Sequence, residues 1–208
     1  MLAVFKASDE SPRIFESDWL DMLSRTPFWL VPLFWGPVVL GLFLWGAVHH
    51  QVAWAWVVGQ FILGAFVWTF TEYVLHRTLF HWKPDTSWGP MLHFLLHGVH
   101  HQWVQDKYRL VMPPAVAIIL ATPFFLGFSA LSLMLSPWLP PTWLWGFISG
   151  FLAGYIFYDL SHYHIHHFRA RTVWMKRLKA HHMHHHFNDP EHKFGVSNTL
   201  WDHVFGSC

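Results

Sequence analysis

Residues 52–81 read VAWAWVVGQFILGAFVWTFTEYVLHRTLFH, an apolar run that ends in histidines. From Val52 to Phe70 it carries no charged side chain. Its length is close to the ~20 residues that an α-helix needs to cross a bilayer. Three more runs share this character: Pro27–Val48, Ala115–Leu135 and Thr142–Tyr158, the last being the shortest. Short segments at 49–51 and 136–141 join the runs in pairs, so they predict four spans in two hairpins. Pro32, Pro37 and Pro123 fall inside spans, where membrane helices tolerate them as kinks.

Composition agrees with a lipid environment. Of the 208 residues, 53% are hydrophobic and only 12% charged, half the charged share of a soluble domain. The net charge of +1 implies no nucleic-acid partner. One cysteine, Cys208, excludes an internal disulfide framework and thiolate metal clusters. All 13 Lys and Arg lie before residue 27, between 73 and 110, or after 168. The two hairpin tips carry no charge. With four spans those three segments share one side, which the positive-inside rule makes cytoplasmic. The expected fold is all-α integral membrane, with a cytoplasmic helical cap.

The first 26 residues form a separate segment. Ser11-Pro12 reads as a helix start. Phe15, Trp19, Met22 and Leu23 then share one helical face, which lies either on a membrane surface or against the protein itself. The leader is acidic and the first apolar run begins late, so no cleavable signal peptide is expected.

Seventeen of the 19 histidines fall on the cytoplasmic side of this topology. They cluster as His76 and His81, as His97, His100 and His101, as His162 and His166, and in HHMHHHF at 181–187. Residues at i, i+3 and i+4 share a helical face, so such sets can aim several rings at one point. The i, i+5 spacing of His76 and His81 does not, unless the helix bends or ends between them. Neutral imidazole is the commonest metal ligand. Buried without metal, so many imidazoles would be costly polar groups, and charged they would repel. Ten ligands are too many for one ion and suit two. In the last cluster His181/His184/His185 and His182/His185/His186 have the same spacing, and helical geometry does not choose between them.

FTEYVLHRTLFH, HGVHH, RLVMPP, YDLSHYHIHH, HHMHHHF and FGVSNTLWDHVFG, in this order from about residue 68 to 206, resemble the integral-membrane fatty acid hydroxylase and sterol desaturase superfamily. Within it the resemblance is to the fatty-acid 2-hydroxylases. It makes residues 27–208 the hydroxylase domain and implies a two-metal site held by His76, His81, His97, His100, His101, His162, His166, His182, His185 and His186. The aromatic Phe187 after the last motif is what selects His182, His185 and His186. His181 and His184 become neighbours of the ligands, and Glu72 and Asp159 are further candidates to orient ligating rings. For both carboxylates the alternative is a solvated group at a helix end. His93, His164, His167, His192 and His203 are read as surface or outer residues. Arg109 in RLVMPP is read as a headgroup anchor, with Pro113-Pro114 opening the third span.

Attack on an unactivated C–H bond needs a redox metal and O2, so iron is expected for catalysis. Zinc could occupy the same site but has no redox chemistry. The resemblance implies 2-hydroxylation of a long acyl chain, free or in a sphingolipid. The 26 leading residues are too few for a cytochrome b5 domain, so electrons are expected from a separate donor such as cytochrome b5 or a ferredoxin. Arg169, Arg171, Lys176, Arg177 and Lys179 could dock it, or could bind anionic membrane lipid. The membrane is the bacterial inner membrane or the endoplasmic reticulum. Two rival readings stand beside this one. A sterol or carotenoid hydroxylase or an acyl desaturase would use the same metals. A metal transporter or sensor would need polar groups at membrane depth, and the span centres offer only an occasional Ser or Thr.

Overall fold

A computed structural model describes residues 11–49 and 53–208. Among them there is no strand. The helices are α1 (Asp18–Leu23), α2 (Leu30–Leu44), α3 (Trp54–Val74), α4 (Gly89–His93), α5 (Val99–Gln102), α6 (Pro114–Leu135), α7 (Trp143–His167), α8 (Val173–Phe187) and α9 (Leu200–Phe205). Three π-helical turns interrupt or extend them, at Trp45–His49, Leu75–Phe80 and Phe94–Gly98. The described residues form two compact units: 11–28, 70–111 and 158–208 in one, and 29–49, 53–69 and 112–157 in the other. The division falls within α3 and within α7.

Three helices are long and apolar enough to cross a membrane: Leu30–Val48, Trp54–Phe80 and Pro114–Leu135. They match three of the expected runs, except that the second run starts at Val52, outside the described residues. Pro113 caps α6 and Pro114 opens it, as RLVMPP suggested. The fourth expected span, 142–158, lies in α7, which is not among the three. The reason is in its residues. Trp143, Trp145, Tyr155, Tyr158 and Asp159 lower its hydropathy, and Gly146, Gly150 and Gly154, at every fourth position, form a smooth stripe.

That stripe packs the apolar unit. A Cβ on Gly150 would sit 1.9 Å from the Phe61 carbonyl oxygen, and one on Gly64 would sit 1.9 Å from that of Phe147. Only glycine lets α3 and α7 approach so closely, as at small-residue seams between membrane helices. Aromatic rings fill the flanks: Trp68 meets Phe151 edge-on at 5.1 Å, and Phe128 meets Phe147 at 4.8 Å. Hence α7 is lined with buried Trp143, Phe147, Phe151 and Tyr155, whereas Ile119, Leu126, Leu133 and Met134 of α6 are exposed.

The N-terminal segment departs from expectation in its start and in the use of its charges. The helix begins at Asp18, not at Ser11. The Ser11 hydroxyl donates instead to Asp106 at 2.9 Å. Arg109 is buried, pairing with Asp21 at 2.9 Å and Asp106 at 3.2 Å, and donating to the Pro12 carbonyl and the Ser11 and Ser24 hydroxyls. It therefore holds residues 11–24 in place rather than reaching for headgroups. The Asp21 carboxylate also accepts from Ile14 N–H at 2.9 Å. With Asp21 turned inward, α1 shows Trp19, Leu20, Met22 and Leu23 to the outside.

Gly150→Ala should lower the thermal midpoint of the detergent-solubilised chain, at a cost of about 1–3 kcal/mol from overpacking. Gly127→Ala, where a Cβ meets nothing within 4 Å, should leave the midpoint unchanged or slightly raised.

Candidate metal centre

The ten histidines singled out by the motifs gather into two groups of five. His76, His81, His97, His101 and His185 form the first; His100, His162, His166, His182 and His186 form the second. Within each group one ring nitrogen per residue lies within 4.8 Å of all the others. The second group is wholly buried, while His81 and His101 of the first are half-buried.

Helical spacing explains the sorting. His162 and His166 on α7, and His182 and His186 on α8, are i, i+4 pairs aimed at the second group. His97 and His101 are a third such pair, aimed at the first. The remaining member of each triplet crosses over: His100 joins the second group and His185 the first. A set at i, i+3, i+4 therefore serves two points, not the single point expected from its spacing. The wide i, i+5 step from His76 to His81 is bridged by the π-helical turn Leu75–Phe80, which His81 terminates. Hydrogen bonding from i to i+5 brings such residues onto one side, and single π turns are frequent at functional sites. His97 likewise sits in the π turn Phe94–Gly98.

The nitrogen geometry suits a cation. His182 Nε2 lies 2.9 Å from His162 Nε2, and 3.0 Å from both His166 Nε2 and His186 Nε2. His186 Nε2 is also 3.0 Å from His100 Nε2. A neutral imidazole nitrogen is either one donor or one acceptor, so three such contacts at one atom are not three hydrogen bonds. At most one of the three is a hydrogen bond, and the nitrogens as a set converge on a point. In the first group His76 Nδ1 donates to the Phe194 carbonyl at 2.5 Å and His185 Nδ1 to the His192 carbonyl at 2.6 Å. A carbonyl only accepts, so these rings carry their proton on Nδ1 and turn a bare Nε2 inward. Those bare nitrogens lie 3.0 Å from His97 Nε2 and 3.1 Å from His81 Nε2. His101 Nε2 is buried with no hydrogen-bond partner among the described residues.

Protonation is suppressed in the same place. Burial first, then the neighbouring imidazoles, hold His97, His100, His101, His182 and His186 well below the usual histidine range. Burial and then His185 push His81 down to about 3. Burial also lowers His185 to about 4, against a raising contribution from the His192 carbonyl. The rings are therefore neutral donors at neutral pH. Ten such donors in two groups fit two ions that accept nitrogen ligands.

The candidate neighbours fare differently. His184 is exposed, and the half-buried His181 points its Nε2 at Asp202, 3.0 Å away. Glu72 and Asp159 are both buried at 2% exposure, so neither is a solvated helix-end carboxylate. Glu72 accepts from Ser197 N–H and hydroxyl and from the Asn198 amide, which ties it to the 197–198 loop. His93 is half-buried with Nδ1 on the Phe80 carbonyl, and His192 and His203 are exposed. Asp202 was not anticipated. It is fully buried and accepts from Phe194 N–H, Gly195 N–H, Ser207 hydroxyl and His181. Burial raises its pKa, but these hydrogen bonds outweigh that and keep it ionised. The signal available in sequence was slight: Asp202 is the one carboxylate in FGVSNTLWDHVFG.

The fatty acid hydroxylase family model matches residues 61–207. A dihydroceramide fatty acyl 2-hydroxylase of Arabidopsis thaliana is 38% identical over 97% of this chain and 81% of its own length. A ceramide very long chain fatty acid hydroxylase of Schizosaccharomyces pombe is 37% identical over 98% of this chain and 56% of its own. A solved structure of full-length scs7p, with only the hydroxylase domain visible, matches with a TM-score of 0.81 and 38% identity over 91% of this chain and 69% of that one. The chain belongs to the fatty acid hydroxylase family. It is accordingly a hydroxylating oxidoreductase.

His100→Ala and His185→Ala should each lower the metal bound per chain, measured by elemental analysis after purification. His203→Ala, on an exposed ring outside both groups, should not. A second outcome follows from the lowered pKa values. In the unfolded chain histidines titrate near ~6.5, so the unfolded state binds more protons than the folded one between about pH 4 and 6.5. The metal-free chain should show constant stability above about pH 7.5 and lose up to ~1.4 kcal/mol per pH unit for each such histidine as pH falls through 6.5. Denaturation midpoints at pH 8 and pH 5 test this.

Proposed function

We propose that the chain is an O2-dependent, dimetal fatty acyl 2-hydroxylase of a cellular membrane. The observation that carries the reading is the pairing of two five-imidazole groups in a member of the fatty acid hydroxylase family. The overall change is R–CH2–CO–X plus O2, two electrons and two protons, giving R–CHOH–CO–X and water. The substrate class is a long acyl chain, free or amide-linked in a ceramide-type sphingolipid. Relatives named for dihydroceramide and ceramide acyl hydroxylation support it.

His76, His81, His97, His101 and His185 would hold one ion, and His100, His162, His166, His182 and His186 the other. Iron is the metal expected in turnover, since redox ions supply the O2 activation that no side chain provides. The chain keeps the imidazoles neutral by burial, fixes the His76 and His185 tautomers with backbone carbonyls, and leaves the nitrogens facing inward. All-nitrogen ligation leaves no thiolate to set the potential.

Residues 142–158 serve as a fourth span, giving two hairpins with every basic segment on the cytoplasmic side. The ring-bearing turn Leu75–Phe80 ends a helix long and apolar enough to span, which supports a metal site close to that interface. A lipid anchored there by its headgroup offers the carbons nearest its carbonyl, which favours C2. Residues 27–208 form the catalytic domain and the leading segment, 1–26, is read as interfacial, with 1–10 outside the described residues. The exposed apolar residues of α1 support the interfacial reading. Electrons come from a separate donor, a cytochrome b5 or a ferredoxin, whose acidic face suits the exposed Arg169, Arg171, Lys176 and Arg177.

Fatty-acid profiling by mass spectrometry of a host with and without the gene, under 18O2, tests the reading. New 2-hydroxy acyl chains carrying one heavy oxygen are expected. New double bonds, or hydroxylated ring lipids instead, would overturn it in favour of a desaturase or a sterol or carotenoid hydroxylase.

A further inference from the structure

Three successive backbone N–H groups after α8 are captured from one side. Lys193 N–H donates to the Ser207 carbonyl at 2.7 Å, Phe194 N–H to Asp202 Oδ1 at 2.9 Å, and Gly195 N–H to Asp202 Oδ2 at 2.8 Å. An extended chain alternates its N–H groups, so this arrangement needs a turn of opposite hand. Lys193 supplies it, with φ of +62° at a non-glycine position. Successive N–H groups arranged in this way form an anion-binding nest. Here the N–H groups of Phe194 and Gly195 hold the chain's own Asp202 carboxylate, and that of Lys193 holds the Ser207 carbonyl. Gly195 is required beside it, because a Cβ there would lie 2.6 Å from Asp202 Oδ2 and 2.1 Å from the Asn198 carbonyl oxygen.

The nest has a consequence on its other face. In a planar trans peptide the C=O points opposite to the N–H. With the N–H groups of Lys193 and Gly195 turned toward the 202–207 segment, the carbonyls of His192 and Phe194 point the other way. They are the two carbonyls that accept from His185 Nδ1 and His76 Nδ1. Both rings belong to the first group. In the second group the Nδ1 atoms of His166, His182 and His186 have no hydrogen-bond partner among the described residues.

We propose that Asp202 is a positioning residue for one of the two metal sites only, acting on His76 through the Gly195 N–H and the Phe194 carbonyl, and on His185 through Ser207, whose hydroxyl donates to Asp202 and whose carbonyl holds the Lys193 N–H behind the His192 carbonyl. The inference rests on the two groups being metal sites, as proposed above. Groups that orient a ligating histidine and raise its basicity change metal affinity by roughly 10–100-fold. On this proposal the 192–195 loop supports His76 and His185 in one site and leaves His166, His182 and His186 of the other without a like partner.

The test is a cobalt(II) titration of the metal-stripped full chain in detergent, read by d–d absorption and by equilibrium competition with a chelator. His185→Ala and His166→Ala mark which spectral component belongs to which group. Asp202→Ala should weaken the component that His185→Ala removes by roughly 10–100-fold and leave the other within about twofold. Ser207→Ala removes one donor from Asp202 Oδ1 without touching a ligand. It should weaken the same component to a smaller degree, and it decides the matter if Asp202→Ala does not fold. Equal weakening of both components, weakening of the one marked by His166→Ala, or no change would overturn the proposal. A wild-type chain that takes up no cobalt would overturn the metal reading itself, a result distinct from these.

Discussion

Bare imidazole nitrogens about 3 Å apart repel one another unless a positive charge lies between them, and the histidine-bearing unit is arranged around that constraint. Water could relieve it, but burial keeps these rings from charging and from solvating. Each structural device nearby serves convergence. Two π turns widen the helical step so that His76, His81 and His97 face inward. The α8 helix, capped by the Thr172 hydroxyl accepting from Met175 N–H, carries three rings on its last two turns. The loop after it turns two carbonyls onto two of the rings. A unit built to hold lone pairs together has little hydrophobic gain of its own at that point. Backbone hydrogen bonds and buried carboxylates such as Glu72 and Asp202 tie the surrounding loops together.

The apolar unit solves a different problem. In lipid there is no hydrophobic drive between helices, so close packing must hold them. Glycines at 146, 150 and 154 facing Val57, Phe61 and Trp68 meet that need, and rings such as Phe128, Phe147 and Phe151 fill the space beside the seam. A helix made for this role is poorer in aliphatic side chains than its neighbours, which is why α7 reads as the weakest of the apolar runs.

Much of this was legible in residue order. Period and length marked the helices, because backbone satisfaction in lipid leaves few alternatives to a continuous apolar run. The i, i+4 spacing of His162/His166 and His182/His186 foretold shared faces, since those pairs are fixed by local geometry alone. What was hidden depends on non-local partners. The division of adjacent His100 and His101 between two groups follows from where neighbouring helices lie. The capture of Arg109 by Asp21 and Asp106 joins residues 85 or more apart as well as three apart, and spacing gives no sign of it. Asp202 is silent for the same reason, as its contacts are to backbone N–H groups that every residue but proline carries. The π turn at Leu75–Phe80 is an intermediate case: the awkward spacing was visible, but not its remedy.

The crossing of histidine rings between helices has a mechanical meaning. Both α5 and α8 deliver rings to both groups, so neither helix can roll or slide to suit one centre without disturbing the other. The two centres are geared together through shared rigid shafts. Any displacement of either helix that moves rings of one group moves rings of the other, so the coupling between the two groups is carried by the backbone itself.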